Sequence, residues 1–337
     1  MSSSEHRTMT LVPPAPTVAE APVSLAPNEH WAHVRAMATD VTVRVPGAAV
    51  KTVVTDAAQA ALDVFKTVEA ACTRFDPSSP LMRANASPNR WHRVPRVCFK
   101  AIVAAHSAYT STNGVFDPRV LGDLVGLGYD RTLPFADGEV STDGTSARRA
   151  PLGQWRPRFR GATNEVLIGD HPIDLGGIGK GLAVGWASER ISPVAPNHLI
   201  EAGGDCYCAG VSGEGSPWRI GIEDPEEPTR QVAVLELRDL ACTTSSIRVR
   251  RWKVAGRTVH HILDAATGRP GGDGLVSVTV VGKDPAMSEV WSKTLFLAGA
   301  AGIASAARRR QLAAVWVTTA GELHVAPAAA RHVIWER

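Results

Sequence analysis

The sequence predicts an α+β fold in which mixed or antiparallel sheets are flanked by helices, and three observations lead there. Segments that alternate apolar and polar residues come in runs interrupted by helix pairs, where a doubly wound sheet would alternate strand and helix regularly. A chain of 337 residues, 44% hydrophobic and 20% charged, has the composition of a globular protein with a large core. No repeat period recurs, and no window approaches the run of about 20 apolar residues that a membrane span needs.

Residues 1–30 are rich in Ser, Pro, Ala and Val without periodicity, which predicts a disordered arm ahead of one domain over residues 31–337. Residues 37–45 alternate as a strand, with Val41, Val43 and Val45 on one face. Asp56 is placed to cap a helix whose Ala60, Ala61, Val64, Phe65, Val68 and Ala71 recur at helical spacing. A turn-rich loop over 75–80 follows, then a helix over 95–110 that stops near Asn113-Gly114. Residues 132–154, rich in Gly, Asp, Ser and Arg, read as an exposed insertion. Short strands at 166–168 and 173–175 then deliver the chain into a glycine-rich turn and a helix over 178–191. Strands are predicted at 198–201, 206–211, 218–222, 232–237 and 248–254, and most strongly at 276–281. Helices over 285–297 and 301–310 precede a last strand at 313–317.

A net charge of +3, from 36 basic against 33 acidic residues, is too balanced for a nucleic-acid partner. The basic runs Arg308-Arg309-Arg310 and Arg248, Arg250, Arg251 read as solvated faces. Five cysteines without a C-x-x-C pair suit a reducing compartment and buried free thiols. Cys206 and Cys208, one residue apart in a strand, point the same way but have no histidine partners for a metal. The first residues lack the basic, apolar and small-residue pattern of a secretory signal, so the protein is expected in the cytoplasm.

Asp174-Leu175-Gly176-Gly177-Ile178-Gly179-Lys180-Gly181 puts four glycines, a carboxylate and a lysine where a strand turns into a helix. Glycines let backbone approach an anion, and a helix N-terminus offers unpaired N–H groups to phosphate. The run matches neither the Walker nor the dinucleotide pattern, and it would equally serve as a tight corner. Other motifs sit at element edges: Gly114-Val115-Phe116-Asp117-Pro118, with Asp117 poised to accept from a hydroxyl or ring N–H; Glu201-Ala202-Gly203-Gly204-Asp205; and Thr243-Thr244-Ser245-Ser246, either hydroxyl donors to phosphate or an exposed turn. His260 and His261 suggest a metal, but neighbours on a strand face opposite ways.

In their order along the chain, Met37-Ala38-Thr39, Gly114 to Pro118, Asp174 to Gly181, Ala202 to Asp205, Thr244-Ser245, and His261-Ile262-Leu263-Asp264 with Thr267-Gly268 resemble the FAD:protein FMN transferase (ApbE) family over about residues 30–320. Arg250-Arg251-Trp252 leading into a double histidine is most similar to the actinobacterial branch. The resemblance implies a two-lobed ApbE-like fold with FAD in the cleft. It implies transfer of FMN from FAD to a Thr or Ser hydroxyl of an acceptor flavoprotein with release of AMP, and Mg²⁺ on the pyrophosphate. Met37, Phe75, Val115, Phe116, Asp117, Asp174, Lys180 and Ile262 would contact FAD. Asp174, Lys180 and Glu289 would be catalytic, and Gly177, through its carbonyl, and Glu289 would be metal ligands.

Two departures stand out. Family members place an aspartate and, four residues on, a threonine at a helix start, both on the metal; here Glu289 and Lys293 hold those positions. A carboxylate suits Mg²⁺, but an ammonium has no lone pair for it. Lys293 therefore pairs with Glu289 and takes over part of the metal's electrostatic task, or turns aside while Ser292 or Thr294 supplies the oxygen, or belongs to a site that binds FAD without chemistry. The family's Ser-Glu pair is here Ser79-Pro80, which weakens contacts to the flavin edge. The leading expectation is a transferase; the alternatives are an FAD pyrophosphatase, with water replacing the acceptor, and a non-catalytic FAD-binding protein.

Overall fold

Val41, Val43 and Val45 alternate with polar residues, and all three are buried on one face of strand β2 (Thr39–Val45). The structure, a computed structural model, describes residues 29–47, 52–131, 142 and 152–337. The expected N-terminal arm and most of the expected 132–154 insertion lie outside the described residues. β2 pairs antiparallel with β1 (His30–Ala36), a strand the sequence reading missed. β1 is an edge strand whose inward Ala32 and Val34 are only half-buried, so its alternation is weak. Met37 and Ala38 form the turn between them, both with left-handed φ (52° and 59°), as a tight two-residue hairpin connection requires. The Met37 N–H donates to Glu69 Oε1 at 2.9 Å, which ties the turn to the helix behind it.

Six further strands extend this pair: β3 (His198–Ala202), β4 (Asp205–Ala209), β5 (Leu240–Ser246), β6 (Leu275–Gly282), β7 (Ala313–Thr318) and β8 (Leu323–Val325). Their order in the sheet is their order along the chain, and each pairs antiparallel with the next. Apart from the segment after β8, which ends in the strand Val333–Glu336, the remaining described elements are insertions between consecutive strands. Between β2 and β3 come α1 (Thr52–Cys72), α2 (Pro80–Asn85), α3 (Arg96–Ser111), α4 (Leu121–Gly126) and α5 (Gly179–Ile191). Phe65, Ile102 and Val184 from this insertion pack with Val41, Val43 and Ile200 of the sheet. Between β6 and β7 come α6 (Pro285–Leu297) and α7 (Gly299–Arg310), which cover Val278, Val280 and Trp316.

A three-stranded sheet of Trp218–Glu223, Gln231–Leu237 and Val333–Glu336 packs on the opposite face, burying Trp218, Ile220 and Leu235 against Leu199, Cys206, Cys242 and Val315. β6 is therefore covered on both sides, which explains its near-continuous apolar sequence. All five cysteines are buried and free.

Several expected elements differ. Asp56 lies inside α1, because the helix already begins at Thr52. Residues 173–175 form no strand: Ile173 N–H and C=O bond to the Asn85 side chain (2.9 and 2.8 Å), and Asp174 N–H to Pro118 O (2.7 Å), so side chain and loop satisfy what a ladder would. The 75–80 loop ends in a short helix, with Ser79 Oγ accepting from Met82 N–H and Pro80 at its first position. Thr243 to Ser246 are no exposed turn but part of interior strand β5. Residues 248–250 precede a hairpin whose strand starts at Arg251, and two more strands follow the one expected to be last.

Candidate active site

The glycine-rich run forms the lip of a cleft between the first insertion and the α6 layer. None of its four glycines has a positive φ, so close approach and not backbone freedom explains them. A Cβ on Gly181 would sit 2.5 Å from Pro285 O and 2.7 Å from Ala286 Cα, so this glycine lets α5 and α6 touch backbone to backbone. A Cβ on Gly177 would meet Phe116 Cε2 at 2.9 Å and the Lys293 Cδ methylene at 3.4 Å. The N–H groups of Gly176 and Gly177 have no partner among the described residues, and they stand beside the N-terminus of α5. That is half of an anion cradle.

The other half is made of charges. Because α5 and α6 touch, the Gly181 N–H reaches Glu289 Oε2 at 2.8 Å. Glu289 Oε1 lies 3.1 Å from Lys293 Nζ and 3.6 Å from Lys180 Nζ, and Lys180 also pairs with Asp205 Oδ2. Both carboxylates are buried to within 1%. Burial disfavours the Glu289 charge, but Lys293 and Lys180 outweigh it and hold its carboxyl below the usual range. Burial likewise opposes a charged Lys180, and Asp205 and Glu289 overcome this to push it above the usual lysine value. Asp205, buried beside Glu289, is pushed up against the pull of Lys180. His261 is driven well below the ordinary imidazole value, first by desolvation and then by Arg250 and Lys293, so it stands in this wall as a neutral ring.

Lys180, Lys293, Arg250 and His261 form a wall shared by two chambers. On one side the lining is mostly apolar: Val68, Phe75, Phe116, Tyr129, Ile262 and Leu263, a shape suited to a flat ring. Arg74 crosses its floor with its guanidinium 4.2 Å from the Phe75 ring centroid and 4.1 Å from that of Tyr129, and its Nε 3.7 Å from Asp174 Oδ1. Its Nη2 is buried without a partner, a donor left for a bound group. On the other side the lining is more polar and includes Thr244, Ser246, Ser277, Glu223 and Arg248 beside Ile220 and Ile222. An aromatic ring on one side, an anion on the wall and a polar second reactant opposite are what this arrangement can hold.

Met37, Phe75, Val115, Phe116, Asp117, Asp174, Lys180 and Ile262 all line the apolar chamber, with Gly177 and Lys293. Glu289 stands behind the wall. The Asp117 carboxylate is taken by Arg119, whose Nη2 and Nε donate at 2.7 and 3.0 Å, so its freedom to accept from a ligand is reduced. Ser292 Oγ bonds Ser245 Oγ (2.7 Å) and Glu289 O (2.9 Å), and Thr294 Oγ1 bonds Val290 O (2.8 Å). His260 and His261 do separate, His260 lying edge-on to Phe296. Sequence reasoning missed Arg74 and Tyr129, and it assigned Arg250 to a solvated face. An arginine directly before an exposed aromatic was the available signal for the first; nothing local marked Arg250, whose role comes from the fold of the β5–β6 connection.

The ApbE family model matches residues 37–316. The chain belongs to the ApbE family. Its curated relatives include the FAD:protein FMN transferases of Escherichia coli K12, 29% identical over 44% of this chain and 43% of that protein, and of Salmonella typhimurium, 27% identical over 72% and 71%. The chain thus spans less than half the length of the E. coli relative it matches. Among solved structures, an ApbE protein of Thermotoga maritima superposes with a TM-score of 0.76 at 25% identity, covering 92% of this chain and all of that one. The flavin transferase ApbE of Vibrio cholerae gives 0.72 at 26% identity, covering 90% and 99%. The ApbE assignment thus rests on the helix-and-antiparallel-sheet architecture as well as on sequence.

Proposed function

We propose that this member of the ApbE family is an FAD:protein FMN transferase, and that residues 31–337 are its catalytic domain behind the 1–30 arm. The observation that carries the reading is the cationic wall between an apolar and a polar chamber. FAD fits with its ring among Phe75, Phe116, Tyr129 and Ile262 and its pyrophosphate on Lys180, Lys293 and the Gly176-Gly177 N–H groups. The polar chamber then admits the threonine or serine of an acceptor flavoprotein. Its hydroxyl oxygen bonds to the FMN phosphorus, the bond from that phosphorus to the bridging oxygen breaks, and AMP leaves with the electron pair as the hydroxyl proton passes to solvent. Such a transfer needs positioning and charge neutralisation more than covalent help, and three wall cations supply the charge.

Mg²⁺ does not fit the residues as they stand. Glu289 has each oxygen committed to a donor, Lys293 offers no lone pair, and no group of three or more His, Cys, Asp or Glu is arranged for a metal among the described residues. Five free cysteines support a cytoplasmic location, and no helix among the described residues is long and apolar enough to cross a membrane. The Arg250-Arg251-Trp252 run supports the actinobacterial branch.

The test is incubation of the full chain with FAD and a flavin-acceptor domain, with and without Mg²⁺, reading AMP, free FMN and covalent flavin. Flavin attached to the acceptor is the expected outcome. AMP with free FMN would make the protein a pyrophosphatase, bound intact FAD a carrier, and no FAD binding would end all three readings.

A further inference from the structure

We infer that Lys293, with Lys180 and Glu289, occupies the place of a divalent cation, so that this site receives a pyrophosphate without a metal ion. The inference rests on the pyrophosphate reading of the wall. A hard cation needs oxygen lone pairs converging at about 2.0–2.6 Å, with the ligands turned toward a common point. Here they are turned elsewhere. Glu289 Oε1 is held between two ammonium groups at 3.1 and 3.6 Å, and Oε2 accepts from Gly181 N–H at 2.8 Å. Asp205 gives Oδ2 to Lys180 and Oδ1 to the Thr244 N–H at 3.3 Å. The two hydroxyls nearest Lys293 in sequence are engaged in bonds to Ser245 and to backbone carbonyls.

The charges lead to the same conclusion. Lys180, Lys293 and Arg250 set three cations against the two carboxylates Asp205 and Glu289, which leaves the wall positive before any ion arrives. A divalent cation placed there would be repelled, whereas a pyrophosphate would be attracted. Gly177 lets the stem of Lys293 lie across the cleft floor, with the Cδ and Cε carbons 3.4 and 3.5 Å from where a Cβ would stand. The ammonium is thereby anchored by Glu289 on a fixed stem, and its side chain is 18% exposed, so it faces the chamber that the pyrophosphate enters.

The experiment is a titration of the full chain with FAD, followed by flavin fluorescence, in EDTA and in millimolar Mg²⁺. The expected dissociation constants agree within about twofold, and tightening of about tenfold or more by Mg²⁺ overturns the inference. Lys293→Thr should bind FAD about tenfold more weakly in EDTA and recover in Mg²⁺. An EDTA affinity unchanged by that substitution also overturns it. The two wild-type arms stand whatever the variant does. Mn²⁺ titrated into the ligand-free chain and read by electron paramagnetic resonance should show no stoichiometric site, and such a site would overturn the inference. Should FAD fail to bind in either buffer, the functional reading falls and the Mn²⁺ arm alone decides this one.

Discussion

On the α5 side of the cleft floor the material is backbone: Gly176 and Gly177 present N–H groups beside a helix N-terminus, and Gly181 brings the helix against α6. On the α6 side it is side chains: Glu289 and Lys293, one turn apart, meet Lys180 from across the gap. Backbone donors are fixed once the helices are packed and do not titrate. Side-chain charges can be exchanged residue by residue, and each exchange changes which ligand or ion the cleft accepts. The two halves are joined at Glu289, which accepts from Gly181 N–H through Oε2 and pairs with Lys180 through Oε1.

Removing Glu289 is the most disruptive change. Glu289→Ala leaves Lys180 and Lys293 facing each other with one buried carboxylate fewer, and it should lower stability by about 3–5 kcal/mol in urea unfolding. A loss under about 1 kcal/mol would mean that the α6 side is decoration on the α5 cradle.

Gly181→Ala comes next. It pushes a methyl into the Pro285 carbonyl and should cost about 1–3 kcal/mol, with weakened FAD binding. Gly179→Ala, whose methyl would meet only the Met37 Cε at 3.4 Å, should shift stability by less than about 0.5 kcal/mol. Equal effects at the two positions in the same unfolding assay would refute the packing account of this run.

The last expected change is with pH, and it comes from Glu289 on α6 and from the buried His260. Glu289, held below its ordinary 4.5, contributes stability that is full above that value and is lost as pH falls through the lower folded value. His260, lowered to about 4 chiefly by burial, takes up its proton in the unfolded chain first, so stability declines as pH falls from 6.5 toward 4. Each imidazole of this kind adds up to about 1.4 kcal/mol per pH unit to the slope. Melting temperatures between pH 7 and 4 should fall throughout, and Glu289→Gln should flatten the curve only below about pH 4.5. A flat wild-type curve would remove the buried-imidazole account.

What could be read from the sequence follows the same division. The turn before α5 is visible because glycines crowd it, but their pattern alone leaves anion approach and a tight corner equally open, and Gly181 serves helix contact. The eight residues that the family resemblance assigned to FAD do line one chamber. Strands such as 276–281 were plain because burial on both faces forces an apolar run, whereas β1 hid its pattern at a sheet edge. Segment 173–175 misled because its hydrogen bonds go to Asn85, 88 residues away, which no local pattern records. Thr243 to Ser246 misled because a polar interior strand looks like a loop until Ser245 is seen against Ser292. Arg74 had only its neighbour Phe75 to mark it; its contacts to Tyr129 and Asp174, like the place of Arg250 in the wall, come from the fold.

The eight strands lie in the sheet in the order in which the chain produces them. Most of the sheet can thus zip up from near neighbours, while β2 must wait for β3 until the whole first insertion has been made, a slow closure of a long loop. The cleft depends on that closure and on a second, separate one, because α5 comes from the first insertion and α6 from the excursion between β6 and β7. Its two halves meet late in folding. A ligand held across them therefore acts as a clasp on the whole chain, raising the resistance of both excursions to unfolding by mass action, and the empty protein should open first where its ligand belongs.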